Sequence, residues 1–518
     1  MSWKDEVEEI GRRRARALEQ GGAAAVAKQH AKGRLTLRER IDALLDPGSF
    51  EEIGAATGAP EEDGSFTPAN YGLGFGRIDG RLVVVAGEDF TVKGGSPSPA
   101  GNRKSVYAET LAAEHRVPLV RLHEGAGGSV GARAPKGTVG PLGAPVFEPS
   151  RFLAVAETLN TAPVASAALG AVAGMPAARL VSSHFSVMAK DVAQILIAGP
   201  AVVERAMGEK KTKEELGGAA VHGKNGTVDN VAENEREALA DIRRFLSYLP
   251  ANVWETPPSA EPTDPAERRE EALLEIVPRE RRRAFDMRAA LSLILDQDSF
   301  FEMGRGYGRT QITGLARLGG RPVGVWANDG RHLAGAMTAD GAQKARRFME
   351  LCDLFHLPIV SFVDEPGFTI GSKSEKEATI RHGAAAVLTA VRCRVPWASV
   401  MVRRSFGVAQ AAHYGPGAGN GGLVLAWPSA EQGPLPVEGG VAVAFHRQIA
   451  EADDPEAMRR ELEEAIAAKQ SPFPRAEAFS VHDLIDPRET RPRLIRWLDR
   501  AWPLLDRQLG PSPLGFRP

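Results

Sequence analysis

The apolar positions of the chain first fall at helical intervals. Residues 5 to 45 are charged and alanine-rich, ending in Leu35-Thr-Leu-Arg-Glu-Arg-Ile-Asp-Ala-Leu-Leu45, which predicts helix. Asp46-Pro47-Gly48 predicts its stop. Short apolar runs then predict buried strands at Leu82-Val-Val-Val-Ala86, Pro118-Leu-Val-Arg-Leu122 and Val164-Ala-Ser-Ala-Ala-Leu169, separated by helical segments from Lys104 to Arg116 and from Glu148 to Thr158. Strand, helix and strand in repetition predict an α/β fold with crossover connections. The longest small-apolar stretch, Ala162 to Ala178, is interrupted by Pro163, Gly170, Gly174 and Pro176. A membrane helix needs roughly 20 mostly uninterrupted apolar residues, so this stretch predicts a buried strand, a glycine turn and the start of a helix.

The pattern then occurs a second time. Asp46-Pro-Gly-Ser-Phe-Glu-Glu-Ile-Gly54 returns as Asp296-Gln-Asp-Ser-Phe-Phe-Glu-Met-Gly304, an offset of 250. Gly76-Arg-Ile-Asp-Gly-Arg81 returns as Ala316-Arg-Leu-Gly-Gly-Arg321, and Pro118 matches Pro358, both at an offset of 240. Pro163 stands 11 residues before Gly174, and Pro396 stands 11 before Gly407. Such a period is too long for a solenoid and predicts a duplicated domain whose two copies face each other. Pro250 to Glu267, with Pro250, Pro257, Pro258, Pro262 and Pro265, reads as the linker, giving domains at 1–255 and 265–518. The tail carries an amphipathic segment, Leu494 to Leu505, expected to pack on the body or on a neighbouring subunit.

Composition narrows the function. At 518 residues each half has length for a complete core, and 64 Lys and Arg against 66 Asp and Glu leave a net charge of -2. Nothing global points to nucleic acid or an anionic membrane, so any anion site must be local. Cys352 and Cys393 supply neither a disulfide framework nor a four-cysteine zinc site, and no metal is expected. The N-terminus, Met1-Ser-Trp-Lys-Asp-Glu, lacks the apolar core of a secretory signal, so the expected location is the cytoplasm.

There is no His-Glu-x-x-His, no Walker loop and no Gly-x-Ser-x-Gly elbow. His115, His184, His222, His356 and His413 are scattered and read as structural or surface residues. What stands out is glycine after buried strands, at Gly170-Ala-Val-Ala-Gly174 and Phe406-Gly-Val-Ala409. A backbone turning there into a helix presents free N–H groups, which can stabilise an oxyanion without a side chain. The alternative is that these glycines only let strand and helix pack closely; their recurrence at matching positions favours two oxyanion holes. The glycine runs Gly125–Gly128 and Gly415–Gly422 suit either close approach to a ligand or flexible surface loops.

A family resemblance rests on Ala334-Gly-Ala-Met-Thr-Ala-Asp-Gly-Ala-Gln-Lys-Ala-Arg-Arg-Phe348, Pro358-Ile-Val-Ser-Phe-Val-Asp-Glu-Pro-Gly-Phe368, Arg381-His-Gly383, Ala426-Trp-Pro428 and Ile485-Asp-Pro-Arg-Glu-Thr-Arg491 in the second half. In the first half it rests on Gly33-Arg-Leu-Thr-Leu-Arg-Glu-Arg-Ile41, Asp89-Phe-Thr-Val-Lys-Gly-Gly-Ser96, Glu215-Leu-Gly-Gly-Ala219 and Phe245-Leu-Ser-Tyr-Leu-Pro250. Together these resemble the β subunits of biotin-dependent propionyl-CoA and methylcrotonyl-CoA carboxylases, the carboxyltransferases. The resemblance implies two crotonase-like domains, an active site at a dimer interface within a hexamer, acyl-CoA on the N-terminal domain and carboxybiotin on the C-terminal one. It implies that Gly174 and Met175 offer N–H groups to a thioester enolate, and Val408 and Ala409, after Gly407, to the biotin ureido oxygen. It also makes Ala173, Gly94, Gly95, Gly127, Gly128, Ala411 and Phe368 candidate substrate-binding positions.

The chain departs from the family pattern at several of these places. Ala173-Gly174-Met175 replaces Ala-Gly-Gly, Gly407-Val408-Ala409 replaces Gly-Gly-Ala, and His123-Glu-Gly-Ala-Gly-Gly-Ser-Val130 replaces Asp-Ser-Gly-Gly-Ala-Arg. Ala411 stands where propionyl-type members often carry an acid. Met175 either walls the acyl pocket or points into the core. There is no Ala-Met-Lys-Met biotinylation site, so biotin is expected on a partner carrying, or associated with, a biotin carboxylase and biotin carboxyl carrier. Two alternatives stay open: a decarboxylase of the same fold, and a catalytically silent acyl-CoA-binding scaffold.

Overall fold

A computed structural model describes residues 2–61, 65–127, 150–417 and 419–518. The chain divides into two compact units, Met1–Val253 and Trp254–Arg517. The junction falls inside the proline-rich segment read as a linker.

The first unit holds β1 (Glu51–Glu52), a separate two-stranded sheet of β2 (Gly58–Pro60) and β3 (Phe66–Pro68), then β4 (Tyr71–Ile78), β5 (Arg81–Glu88), β6 (Leu119–Gly125), β7 (Val164–Ala173), β8 (Phe185–Ala189), β9 (Gln194–Leu196) and β10 (Asn230–Ala232). Its main sheet has eight strands in the order β1-β4-β5-β6-β7-β8-β10, with β9 paired to the end of β7. The first pairings are antiparallel and those from β5 onward parallel, through helical crossovers.

The second unit repeats this plan with β11 (Phe301–Met303), β12 (Gln311–Leu318), β13 (Arg321–Asn328), β14 (Ile359–Glu365), β15 (Trp397–Phe406), β16 (Leu423–Ala426), β17 (Glu431–Gly433) and β18 (Asp483–Leu484). Its order is β11-β12-β13-β14-β15-β16-β18, with β17 on β15. The repetition extends to register. Val84 pairs with Leu119 as Gly324 pairs with Ile359, and both sheets shift register at the same point, between His123 and Gly125 and between Val363 and Glu365.

Local chemistry explains the elements. The helix Pro99–His115 begins five residues before the segment read from the sequence, because Ser98 accepts the Gly101 N–H at 3.0 Å and Pro99 fits a first turn. Its counterpart, Ala339–Leu354, is capped in the same way by Thr338 and Gly341. The helix expected from Glu148 is described over Phe152–Leu159. β7 and β15, ten residues each, are almost wholly buried, so each side chain must be apolar, small or paired. The tail helix Thr490–Ala501 buries Leu494, Ile495, Trp497 and Leu498 in the core of its own unit, against Val325, Val400 and Trp427. No helix among the described residues is long and apolar enough to cross a membrane.

Candidate active site

The carboxyl ends of β7 and β15 make the same turn. Gly174 has φ 65° and Gly407 has φ 64°, a left-handed conformation that costs glycine little. Gly174 N–H donates to Leu196 O on β9, and Gly407 N–H to Gly433 O on β17, each at 3.3 Å. Each glycine therefore ties the turn to the short strand beside it.

The donors left for a ligand come next in the chain. After Gly174 the helix Met175–Val181 begins, with Pro176 lacking an N–H. The N–H groups of Met175 and Ala177 have no backbone partner among the described residues. After Gly407 the short helix Ala409–Tyr414 begins, and the N–H groups of Val408, Ala409 and Gln410 are likewise without one. Of the N–H groups read from the sequence as donors, those of Met175, Val408 and Ala409 lack a backbone partner, while that of Gly174 is engaged with β9.

Met175 does not point into the core. Its residue is 40% exposed and lines a shallow crevice, about 370 Å³ counted out to open solvent, with Tyr71, Glu88, Gly95, Ser98, Pro176 and Arg179. The second turn faces an open surface hollow, about 670 Å³ counted out to open solvent, lined by Gly407, Val408, Gln410, Gln432, Gly433 and Arg475. Val408 is 64% exposed there.

Glycines close the first site. Gly94 and Gly95 have φ 64° and 62°, and a Cβ on Gly95 would lie 2.7 Å from Glu124 O and 2.9 Å from the Gly125 Cα. Ala126 N–H donates to Gly94 O at 3.2 Å, and Gly127 lies against Ala173. Gly94, Gly95, Gly127 and Ala173 thus gather around the ends of β6 and β7; Gly128 lies outside the described residues. In the second unit Phe368 packs on Gly383, where a Cβ would come within 2.3 Å of its ring, and Ala411 is exposed beyond the turn.

Buried charges fix the helix of the first turn. Arg179 Nη2 donates to Glu109 Oε1 at 2.6 Å and to Ser105 O at 3.1 Å, while Arg121 donates to both Glu109 oxygens at 2.9 and 2.7 Å. Burial pushes the Glu109 carboxyl up, yet the two guanidiniums outweigh it and hold it below the ordinary carboxylate range. Burial pushes the Tyr71 phenol up to about 12. Glu88 meets His123 Nδ1 at 3.0 Å, and burial holds the His123 pKa below its ordinary value despite that carboxylate. The second unit has its own clamp, in which Arg403 and Arg404 each grip both oxygens of Asp364. Burial raises the Asp364 carboxyl, and the two arginines more than reverse it.

Sequence reading missed these clamps. Their signal was an arginine inside an apolar strand, Arg121 in β6 and Arg403 in β15. His413 meets Ser361 Oγ at 2.8 Å and Glu365 at 3.5 Å, stacked on Trp326. All three groups are fully buried, so this serine has no route to a substrate. Among the described residues no three His, Cys, Asp or Glu side chains converge on a metal position.

The family model described as "Carboxyl transferase domain" matches residues 28–504, and the chain belongs to that family. Its fold is crotonase-like, and its class is that of the acyl-CoA carboxylase carboxyltransferase subunits. It is 35% identical over 514 residues to a propionyl-CoA carboxylase carboxyltransferase subunit of Haloferax mediterranei, covering 96% of each chain. It is 34% identical over 506 residues to the human mitochondrial propionyl-CoA carboxylase β chain, covering 95% of this chain and 90% of that one. It also resembles the solved transcarboxylase 12S, a hexamer core with methylmalonyl-coenzyme A bound, at TM-score 0.87 and 30% identity over 97% of this chain and 96% of that one.

Proposed function

We propose that this carboxyltransferase moves a carboxyl group between carboxybiotin, carried on a partner protein, and the α carbon of a short acyl-CoA of the propionyl class. The observation that carries this reading is the repeated turn, which leaves backbone N–H groups unpaired after β7 and again after β15.

The first turn takes the thioester. When an acyl-CoA loses its α proton, charge collects on the thioester oxygen, and the N–H groups of Met175 and Ala177 at the helix start stabilise it. These donors strengthen as the charge develops, so they lower the barrier rather than only bind substrate. Glu109 and Arg179 hold the helix in place. The exposed Met175 side chain narrows the crevice beside the turn and suits a small acyl group.

The second turn takes the ureido oxygen through Val408, whose unpaired N–H stands at the opening and fits a carbonyl-type acceptor, whereas Ala409 beside it is fully buried. Carboxybiotin, when bound, supplies the carboxyl group and the base for the α proton. No side-chain base is then required of this chain. The working assembly is proposed to be a hexamer, like that of transcarboxylase 12S.

The test is incubation of purified protein with free biotin and malonyl-, methylmalonyl-, ethylmalonyl-, methylglutaconyl- and glutaconyl-CoA, each followed by mass spectrometry. Biotin-dependent loss of methylmalonyl-CoA is expected. Biotin-independent loss identifies a decarboxylase instead, and acyl-CoA binding without turnover of any thioester identifies a silent scaffold.

A further inference from the structure

The second unit carries a large cleft that the reaction at its turn does not use. It encloses about 1820 Å³ counted out to open solvent, with Arg279, Arg281, Arg282, Arg403 and Arg404 on its walls and, among the described residues, Glu431 as the acid lining it. Because the whole chain has a net charge of -2, this concentration of guanidinium groups is local.

Three of the five are already matched. Arg403 and Arg404 clamp Asp364, and Arg281 makes a two-point contact with Glu431, Nε to Oε1 at 2.9 Å and Nη2 to Oε2 at 2.7 Å. Arg403 also donates from Nη1 to Arg283 O at 2.8 Å, with its guanidinium 4.8 Å from the Phe285 ring centre. These contacts anchor the run Arg279-Glu-Arg-Arg-Arg283 to the sheet. Arg279 and Arg282 are left exposed and without a partner among the described residues. Each presents a planar fork that suits a carboxylate better than a point charge would.

The cleft also exposes apolar surface. Leu274, on its wall, is 49% exposed, and Leu435 and Phe473, next in sequence to the lining residues Pro436 and Pro472, are 51% and 54% exposed. Exposed arginine beside an exposed leucine on one wall, with further exposed apolar residues flanking it in sequence, matches the composition of a protein interface.

Position identifies the occupant. Glu431, at the start of β17, lines the arginine cleft, while Gln432 and Gly433 of the same strand line the opening at Val408. The cleft therefore runs up to the second turn. We infer that it docks an acidic, apolar-containing polypeptide segment of the biotin-bearing partner, held through Arg279 and Arg282. This rests on the reading that biotin reaches the second turn on a separate protein.

The probe is a fluorescein-labelled octapeptide alternating Glu and Leu, titrated with the full chain by anisotropy. Binding is expected at about 50 mM salt and is expected to weaken at about 500 mM, where surface charges are screened. In Arg279→Ser/Arg282→Ser, with unchanged melting temperature, affinity is expected to fall roughly tenfold. No binding to the wild type, or equal binding to the variant, overturns the proposal. Displacement by coenzyme A, with its own affinity lost in the variant, assigns the cleft to a nucleotide and overturns it too. So does a change of the variant's oligomeric state in sedimentation, which makes the cleft a contact between copies. Wild-type turnover of methylmalonyl-CoA with free biotin is measured alongside. Turnover with variant-insensitive peptide binding defeats the cleft alone. Absent turnover with variant-sensitive binding defeats the carboxyl-transfer reading and leaves an acidic-peptide site.

Discussion

Lys344 donates from Nζ to the carbonyl oxygen of Gly304 at 2.8 Å. Lys104, at the matching place in the first unit, reaches the carbonyl of Gly54 at 3.3 Å. Lys344 is buried and also holds the Tyr307 and Gln311 carbonyls at 3.1 and 2.8 Å. Lys104 has one long bond and lines a crevice with Arg38, Glu52 and Asp89. Replacing Lys344 by Met leaves three carbonyl acceptors without it and is expected to cost about 2–4 kcal/mol of stability. Lys104→Met is expected to cost about 1 kcal/mol or less. Urea unfolding of both variants measures the difference; equal losses would refute it.

Met175→Pro tests the oxyanion donor proposed at the first turn. The first position of a helix accepts proline, and the N–H removed there has no backbone partner to lose. The melting temperature is expected to hold while kcat falls by about two orders of magnitude. An unchanged rate removes Met175 N–H from the mechanism.

Met175→Ala keeps the donor and clears the crevice. Relative kcat/KM for a carboxylated acyl-CoA one or two methylenes longer is expected to rise roughly tenfold against methylmalonyl-CoA. If the ratio does not move, the Met175 side chain has no part in selecting the acyl group.

Arg179→Met leaves Glu109 with one guanidinium instead of two in a buried site. Breaking a buried pair in this way costs about 3–5 kcal/mol. Because Arg179 lies on the helix that carries Met175, kcat is expected to fall while KM for acyl-CoA stays close to wild type. A stability loss with normal kcat would make this clamp structural only.

Acid should weaken the protein in two stages. The buried His123 has its folded pKa held below the ordinary value, so the unfolded chain takes up that proton first and stability declines once pH falls below roughly 6.5. Glu109 and Asp364 have folded pKa values below their unfolded ones. Their contribution is complete above the unfolded range, near 4, and is lost as pH falls through the folded values. The urea midpoint is therefore expected to drop gently from about pH 6.5 and steeply below about pH 4.5. In His123→Gln the first stage should vanish; its persistence would place the titrating group elsewhere.

The sequence displayed its architecture because a duplicated α/β fold writes the same apolar runs and glycine turns twice. Val84, Leu119 and Val164 mark strands by burial, and Gly174 and Gly407 mark turns by the φ they adopt. What it concealed depends on partners distant in the chain. Leu196 and Gly433 capture the N–H groups of the two turn glycines from β9 and β17, and neither short strand has an apolar run long enough to announce itself. Glu109, Arg121 and Arg179 meet from two helices and a strand, so no local spacing joins them. The tail showed its apolar face in sequence but not its place beside Val400 and Trp427.

Pro176 has a consequence for how the halves specialised. Two copies of one turn start with equal sets of donors, and a proline in one of them deletes an N–H that the other retains in Ala409. The copies are then no longer interchangeable parts. Transplanting Ala173–Ala177 in place of Phe406–Gln410 would carry a gap into a run of three consecutive unpaired N–H groups, so the two segments are not equivalent even though their sheets match in register.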